Sequence, residues 1–240
     1  ILTAIIGYSY LAARKMIEDE LKAKSQHMAE ATANRIEIVE KSVEVIVQGL
    51  AFNIEDGPYT RDEIFRLLKQ TVANNPEVYG ACAAMAPYSL GPEFHYSAPY
   101  VCRKDSDFNE FDLIDNNYRY DTWAWYTLPR DQGRPIWTEP FYDEGGGNIL
   151  MITYSSPIFR GGDRSKFVGV ATNDVSLDWL TDLLGSLPLG KSGFAFLVTR
   201  NGTYISHPDR DLIMKQTIFS HAKANEDFNN LAVAEQMVNG

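Results

Sequence analysis

The feature that most constrains this chain is a long stretch from Arg14 to Glu55 that contains no proline and a single glycine. Apolar residues recur in its second half at alternating steps of three and four, namely Ile36, Val39, Val43, Ile46 and Leu50. This spacing forms a heptad seam on an α-helix. At 1.5 Å per residue such a helix would run about 60 Å. We therefore predict a long helix that pairs in a homodimer or forms the spine of an external module.

The residues before this stretch predict a membrane anchor. Residues 1–13 are uncharged and mostly apolar, and Arg14 and Lys15 follow directly. A bilayer span needs about 20 apolar residues, so the segment is too short to cross alone. Because the chain does not start with methionine, we interpret residues 1–13 as the outer end of a transmembrane helix that begins upstream. The alternative, a signal-peptide remnant, lacks a small-residue cleavage pattern.

Composition and motifs exclude several functions. The net charge of −10 disfavours nucleic acid as a partner. The four histidines, His27, His95, His207 and His221, are dispersed without ligand spacing, so neither a metal site nor a cofactor is predicted. Gly145–Gly147 lacks the Lys-Ser/Thr of a phosphate loop and is interpreted as a turn. With no nucleophile motif either, the sequence does not predict an enzyme.

The two cysteines leave two interpretations open. Cys82 and Cys102 lie in strand-like runs on either side of a turn-like segment, Tyr88–Pro92. If the runs form a hairpin, the cysteines come roughly opposite each other and a cross-strand disulfide is geometrically allowed. The other interpretation is a pair of free buried thiols.

Helix and strand signals predict an α+β fold with two modules in tandem. Residues 14–56 form the long helix, 57–187 a first module and 188–240 the start of a second. In the first, Thr60 and Glu63 form a capping box, Ser176 caps a later helix, and 105–135 is irregular. Five runs predict an antiparallel sheet: Tyr79–Pro87, Phe94–Lys104, Ile136–Tyr142, Ile149–Phe159 and Phe167–Val175.

The second module begins with one hairpin signal. Asn201-Gly202 separates the strand-like runs Phe194–Thr199 and Thr203–His207. A lone hairpin is marginally stable at best. We therefore expect the remaining strands of this module beyond Gly240.

Aromatic residues are concentrated between Tyr118 and Tyr142, where three of the four tryptophans occur. Part of this set must be core. Asp121, Asp131 and Asp143 are interspersed, however, in a segment interrupted by prolines, which is typical of loops that line a pocket. Asp121, Asp143, Glu144 and Asp174 could supply a carboxylate pair for glycoside hydrolysis or, equally, line a pocket for a cationic or polyhydroxy ligand.

The order of several short motifs resembles the double Cache sensor domains, the extracytoplasmic input regions of histidine kinases, chemoreceptors, cyclic-dinucleotide enzymes and serine phosphatases. These motifs are Trp125-Tyr126, Trp137-Thr-Glu-Pro140, Tyr154-Ser-Ser-Pro-Ile158, Phe167-Val-Gly-Val170, Asp174-Val175, Gly193-Phe-Ala-Phe196, Asn201-Gly202 and His207-Pro208. The resemblance implies a long signalling helix followed by two PAS-like modules with antiparallel sheets, membrane-distal and then membrane-proximal, with the ligand usually in the distal one.

The resemblance also implies site residues. Amino-acid-binding members carry a pocket motif whose positions here are Tyr118, Trp123, Trp125, Tyr126, Phe141, Asp143 and Asp174. Trp123 stands where those members have an arginine that binds the ligand carboxylate, and Phe141 replaces a tyrosine. Asp143 and Asp174 would still bind an ammonium group. Asp174 can alternatively serve as a helix N-terminal charge ahead of Ser176.

Sensing of a small amine or an amino-acid-like ligand is therefore the predicted function, with an aromatic cage over a carboxylate floor. A ligand carboxylate, if present, would be met by Arg119, Arg130 or Arg134. Asp121 completes the predicted ligand-binding set. The alternative function is a structural module of a membrane receptor that holds a dimer without binding a ligand.

Overall fold

The computed structural model describes residues 2–57, 59–116, 118–187, 189, 193–225 and 228–239. Two compact units make up the chain, Ile1–Ser42 and Val43–Gly240. The first unit is entirely helical where it is described, and its described side chains are exposed or half-buried. Among the described residues, none of the helices is both long enough and apolar enough to cross a bilayer. The side chains of residues 1–5, part of the predicted anchor, lie outside the described residues.

Helix α1 runs unbroken from Leu2 to Asp56, as the absence of proline predicts. Within the second unit its buried face consists of Val43, Val47, Leu50, Ala51 and Ile54. The predicted heptad seam is therefore only partly right, because Val43 and Leu50 are buried inside this unit rather than available to a partner helix. On the opposite face Val45 is 70% exposed.

A second helix and a seven-stranded antiparallel sheet follow. Helix α2 (Arg61–Asn74) begins with the predicted capping box of Thr60 and Glu63. The strand order in the sheet is β3-β2-β1-β7-β6-β4, and β5 also pairs with β6. The strands are β1 (Gly80–Met85), β2 (Pro99–Lys104), β3 (Asp107–Asp112), β4 (Ile136–Trp137), β5 (Phe141–Tyr142), β6 (Leu150–Phe159) and β7 (Phe167–Ser176).

The sheet corrects two sequence-based expectations. The run Ile136–Tyr142 is split into β4 and β5, with Pro140, which has no backbone N–H, in the segment between them. The stretch 105–135, predicted to be irregular, contains β3 and helix α3 (Ala124–Gln132). Helix α3 ends at Gly133, whose φ of 63° is a left-handed conformation that glycine adopts readily.

The cysteines do not face each other. In the β1–β2 register Cys82 pairs with Tyr100, and Cys102 pairs with Gly80. This two-residue offset puts the cysteines at diagonal positions, and both are free and buried. The expectation of opposed cysteines is therefore wrong, and the interpretation as free thiols describes this structure.

Helix α4 (Leu177–Gly185) follows β7 and is capped by Ser176 as predicted. The chain then forms a small hairpin from β8 (Leu197–Val198) and β9 (Tyr204–Ser206), which turns at Asn201-Gly202 as predicted. Helices α5 (Ile218–Ala224) and α6 (Phe228–Asn239) complete the described part. The small core beneath the hairpin includes Tyr204, Leu212, Ile218 and Ala234.

Candidate functional site

The sheet register brings polar residues together on one face of the central strands. Asp174 on β7 lies between Gly80 on β1 and Thr153 on β6. Directly opposed residues of an antiparallel sheet point to the same face. Helix α3 contacts β6 and β7, and the buried aromatic residues Trp125 and Tyr126 on α3 pack in one core cluster with Tyr100, Cys82 and Val170 of the sheet.

Asp174 is buried and held by two hydroxyl donors. Thr153 Oγ1 donates to Asp174 Oδ1 at 2.7 Å, and the Tyr100 hydroxyl donates to Oδ2 at 3.0 Å. The predicted alternative of a helix-capping charge does not describe this carboxylate, because Ser176 Oγ accepts from the first backbone N–H groups of α4.

Asp143, in the turn after β5, is held in a similar way. The Tyr118 hydroxyl donates to its Oδ1 at 2.5 Å, and the Gly147 backbone N–H donates to its Oδ2 at 2.6 Å. The glycine turn predicted at Gly145–Gly147 thus wraps around a carboxylate. A Cβ on Gly147 would lie 2.6 Å from Met151 Cε and 3.0 Å from the Tyr100 hydroxyl, so a side chain at this position would displace these groups.

The two carboxylates form an electrostatically unbalanced pair. In the part of the chain that the structure describes, no lysine, arginine or histidine forms an ion pair with Asp143 or Asp174. Burial, and secondly the charge of Asp143, raises the pKa of Asp174 to about 7. Burial also raises the pKa of Asp143 above its ordinary value, against the lowering effect of its bonds from Tyr118 and Gly147. An uncompensated buried carboxylate either keeps a proton or attracts a cation.

A group of aromatic rings is connected to Asp143 through Tyr118. The ring of Tyr118 stacks on Trp123 with a 5.2 Å centroid separation, and Trp123 contacts Phe141 at 5.7 Å. The Trp125 indole N–H donates to the Tyr118 hydroxyl at 3.1 Å, which links a second tryptophan to the carboxylate. Because Tyr118 and Trp123 stack on each other, the rings do not form the open cage that the sequence suggested.

Two predicted site residues lie elsewhere. Tyr126 packs edge-on against Tyr120 and Phe167 in the core. Asp121 forms a two-bond ion pair with Arg119, with N–O distances of 2.9 and 2.8 Å. This pair borders a cavity of about 250 Å³ lined also by Tyr96, Ile114, Tyr118 and Tyr120. Asp121 therefore belongs to this neighbouring cavity rather than to the carboxylate pair.

The sequence patterns did not indicate Tyr100, Thr153 or the role of Gly80 as parts of the site. Gly80 has no side chain between Tyr100 and Asp174, and a Cβ there would overlap the Tyr100 hydroxyl and lie 2.9 Å from Asp174 Oδ2. The alternation of β1 and β7 shows which of their residues share a face, but only the β1–β7 pairing places Gly80 beside Asp174. Among the described residues, no group of three or more His, Cys, Asp or Glu side chains is placed to hold a metal ion.

Comparison with known proteins gives a consistent result. Residues 64–182 match the family described as methyl-accepting chemotaxis protein-like, first PDC sensor domain. The chemotaxis protein PctB of Pseudomonas aeruginosa is 30% identical over 167 residues, which cover 69% of this chain and 26% of PctB. The chain spans between 26% and 34% of the length of the first three curated relatives it matches.

Solved structures show the same fold. The extracellular domain of soHK1S-Z6, assigned to the histidine kinases, has a TM-score of 0.67 and 27% identity, covering 92% of this chain and 83% of that one. The ligand-binding domain of the Pseudomonas aeruginosa amino acid chemoreceptor PctC, solved in complex with GABA, has a TM-score of 0.61 and 28% identity. Its match covers 81% of this chain and 79% of the PctC domain. These relatives are non-catalytic input domains of receptors, and the α+β, PAS-like fold predicted from the sequence is confirmed.

Proposed function

Because the segment 64–182 belongs to the PDC, or Cache, family of sensor domains, we propose that this chain is the extracytoplasmic input region of a transmembrane receptor and binds a small ligand through an ammonium group. The observation that carries this proposal is the pair Asp143 and Asp174, two buried carboxylates without a basic partner among the described residues. A cationic ligand supplies the missing charge.

The hydrogen bonds already made to the pair are compatible with a bound ammonium. Each carboxylate oxygen can accept about two hydrogen bonds, and the four oxygens of Asp143 and Asp174 each accept one bond from the protein. An ammonium has three N–H donors to place on the remaining positions. Tyr118 and Tyr100 then orient the carboxylates instead of competing with the ligand.

The other end of the ligand is less constrained. Trp123 and Phe141 offer apolar ring surface, so an alkylamine is one suitable ligand class. GABA, bound by PctC, represents a second class, in which a carboxylate is also present. For that class Arg119 is the favoured partner, because it borders the cavity beside Tyr118. Arg119 would have to exchange Asp121 for the ligand carboxylate, whereas Arg130 is paired with Asp131.

Strand β6 offers a route from this site to the long helix. Thr153 binds Asp174 on one face, and the next residue, Tyr154, points to the other face. There the Gln48 side-chain amide of α1 donates to the Tyr154 hydroxyl at 3.0 Å. Glu44, one turn earlier on α1, accepts from the Trp137 indole N–H at 3.1 Å. A shift of β6 on ligand binding would therefore act on α1.

The relatives support a wider setting for this proposal. The solved relative soHK1S-Z6 is an extracellular domain, so we propose that this domain also lies outside the cytoplasm. We further propose that its N-terminal helix anchors it in the membrane and that it pairs with a second copy. Its output would be that of a chemoreceptor, histidine kinase, phosphatase or cyclase.

A thermal-shift series tests the proposed function. The chain is screened against alkylamines, amino acids and carboxylates, with Asp174→Asn as the site variant and Asp105→Asn as the control. Asp105 is exposed in the turn after β2, with a φ of 52° that asparagine also adopts.

A ligand at about 100 times its Kd stabilises the fold by roughly 2.7 kcal/mol. We expect amines to shift Tm in the wild type and in Asp105→Asn but not in Asp174→Asn. A shift that survives in Asp174→Asn would contradict the proposal.

A further inference from the structure

Ser155 on β6 has a buried hydroxyl group without a hydrogen-bond partner. The residue is 0% exposed, and in the described part of the chain its Oγ has no hydrogen-bond partner. A buried polar group that lacks a partner is destabilising, and such groups in native proteins usually have an identifiable reason. This hydroxyl therefore requires an explanation beyond packing.

Its position relates it to the carboxylate pair. Ser155 lies two residues from Thr153 along β6, so it points to the same face of the sheet at a distance of about 7 Å along the strand. Its neighbours across the sheet are Thr172 on β7 and Ile136 on β4. Thr172 is in turn two residues from Asp174 on the same strand. The Ser155 hydroxyl and the Asp174 carboxylate thus occupy diagonal positions on one face. The same face carries Cys82 and Val170, which belong to the core cluster of Trp125 and Tyr126 on α3.

We infer that Ser155 is a ligand-binding residue whose hydroxyl hydrogen-bonds a second polar group of the amine ligand. This inference rests on the proposed function and narrows the ligand class. The ligand carries its ammonium at Asp143 and Asp174 and a hydroxyl, amide or carboxylate oxygen roughly 6 to 7 Å away, because diagonal neighbours in a sheet are about 7–8 Å apart and their Cβ atoms somewhat less. About four carbon atoms between the two groups fit this separation.

The geometry favours a ligand over a structural role. A serine that only filled space at this position could be alanine, with no unpaired hydroxyl. Ser156, the next residue, is also buried but points to the opposite face, and its hydroxyl is not among the unpartnered atoms. Ser155 therefore presents its unsatisfied hydroxyl on the side of the sheet that carries Asp174, whereas a second side chain that is unpartnered among the described residues, Asn173 on β7, points to the opposite face.

A matched pair of amines tests the inference. The probes are 4-aminobutan-1-ol and pentan-1-amine, which have similar length and differ in the terminal hydroxyl. Calorimetric titrations are made with the wild type, Ser155→Ala, the control Ser156→Ala and Asp174→Asn. We expect the wild type and Ser156→Ala to prefer 4-aminobutan-1-ol by about 5- to 10-fold, the effect of one hydrogen bond. In Ser155→Ala this preference is lost while pentan-1-amine binds as before, and Asp174→Asn weakens both probes.

The outcomes separate this inference from the function on which it rests. An unchanged preference in Ser155→Ala, with both amines still dependent on Asp174, would overturn the role of Ser155 and leave ammonium binding intact. If neither amine binds the wild type, the role of Ser155 and the proposed ammonium binding are both overturned. The unliganded proteins give an independent check, since Ser155→Ala should have a Tm equal to or above that of the wild type. A clear loss of Tm would show that the hydroxyl has a partner in the free protein and would also overturn the inference.

Discussion

The Tyr100 hydroxyl reaches the Asp174 carboxylate over Gly80, with a 3.0 Å hydrogen bond that passes across β1 from β2 to β7. The bond exists because glycine leaves this position on β1 without a side chain. It ties the orientation of a candidate ligand-binding carboxylate to a single backbone position.

Gly80→Ala should therefore damage both the fold and the site. The added Cβ would overlap the Tyr100 hydroxyl, a group that is itself buried. Overpacking of this kind costs about 1–3 kcal/mol. The measurement is the free energy of unfolding by urea, together with the thermal shift given by an amine.

Gly49→Ala is the control, because a Cβ at that position in α1 has no neighbour within 4 Å. Alanine there should stabilise the helix by about 0.5–1 kcal/mol. Equal stability of the two variants would refute the argument.

Stability should fall as pH rises from about 4 to about 7. In the folded chain the pKa of Asp174 is raised to about 7, so this carboxyl keeps its proton over an interval in which the unfolded chain has lost it. The stabilisation is complete below the unfolded pKa and is lost through the folded one. The slope is at most about 1.4 kcal/mol per pH unit.

Urea unfolding of the wild type and Asp174→Asn at pH 5, 6, 7 and 8 checks this prediction. Asparagine does not titrate, so the variant should gain stability relative to the wild type as the pH rises and keep that gain above 7. A difference between the two proteins that does not change with pH would show that Asp174 ionises normally.

Both cysteines should be present as unreactive thiols. Burial raises the pKa of Cys82 well above its ordinary value and that of Cys102 to about 11, so little thiolate forms at neutral pH. Alkylation followed by mass spectrometry should label both cysteines after denaturation and neither rapidly in the native protein. An unlabelled denatured chain, lighter by two hydrogens, would instead reveal a disulfide.

Coupling between the site and α1 should depend on Gln48. Gln48→Ala removes the bond to Tyr154 but leaves Thr153 and Asp174 in place. Amine affinity should therefore be retained. The ligand-induced change in hydrogen exchange of residues 43–54, expected in the wild type, should be reduced.

Gln70→Ala on the exposed face of α2 is the matched control and should behave as the wild type. A full exchange response in Gln48→Ala would exclude this route to α1.

Local signals in the sequence predicted several parts of the fold well. The capping box of Thr60 and Glu63 and the turn at Asn201-Gly202 depend on near neighbours in the chain, and both occur as expected. The heptad seam was a weaker guide. Periodicity shows that Val43 and Leu50 share a face, but it cannot show whether a second helix or the domain's own interior covers that face.

The site was harder to predict because it depends on register. Asp143, Tyr118 and Trp123 lie in or next to the aromatic-rich segment 118–142 of the sequence and are also brought together in space. Thr153 and Tyr100 can be assigned to the site only when the pairing of β6, β7 and β1 is known. A shift of the strand register by one residue would turn each side chain to the other face of the sheet. Asp121 is close in sequence to Trp123 and Trp125, but its nearest cation, Arg119, holds it in a neighbouring cavity.

The central claim is that Asp143 and Asp174 bind a ligand ammonium group. The most direct measurement is a calorimetric titration at pH 8 of the wild type and Asp174→Asn with an amine that raises Tm and with its N-acetylated form, which has no charge. We predict that the wild type binds only the free amine and that Asp174→Asn weakens this binding at least about tenfold, as expected for loss of a charge-assisted bond. Equal binding of the charged and acetylated forms, or an affinity unchanged in Asp174→Asn, would contradict the claim.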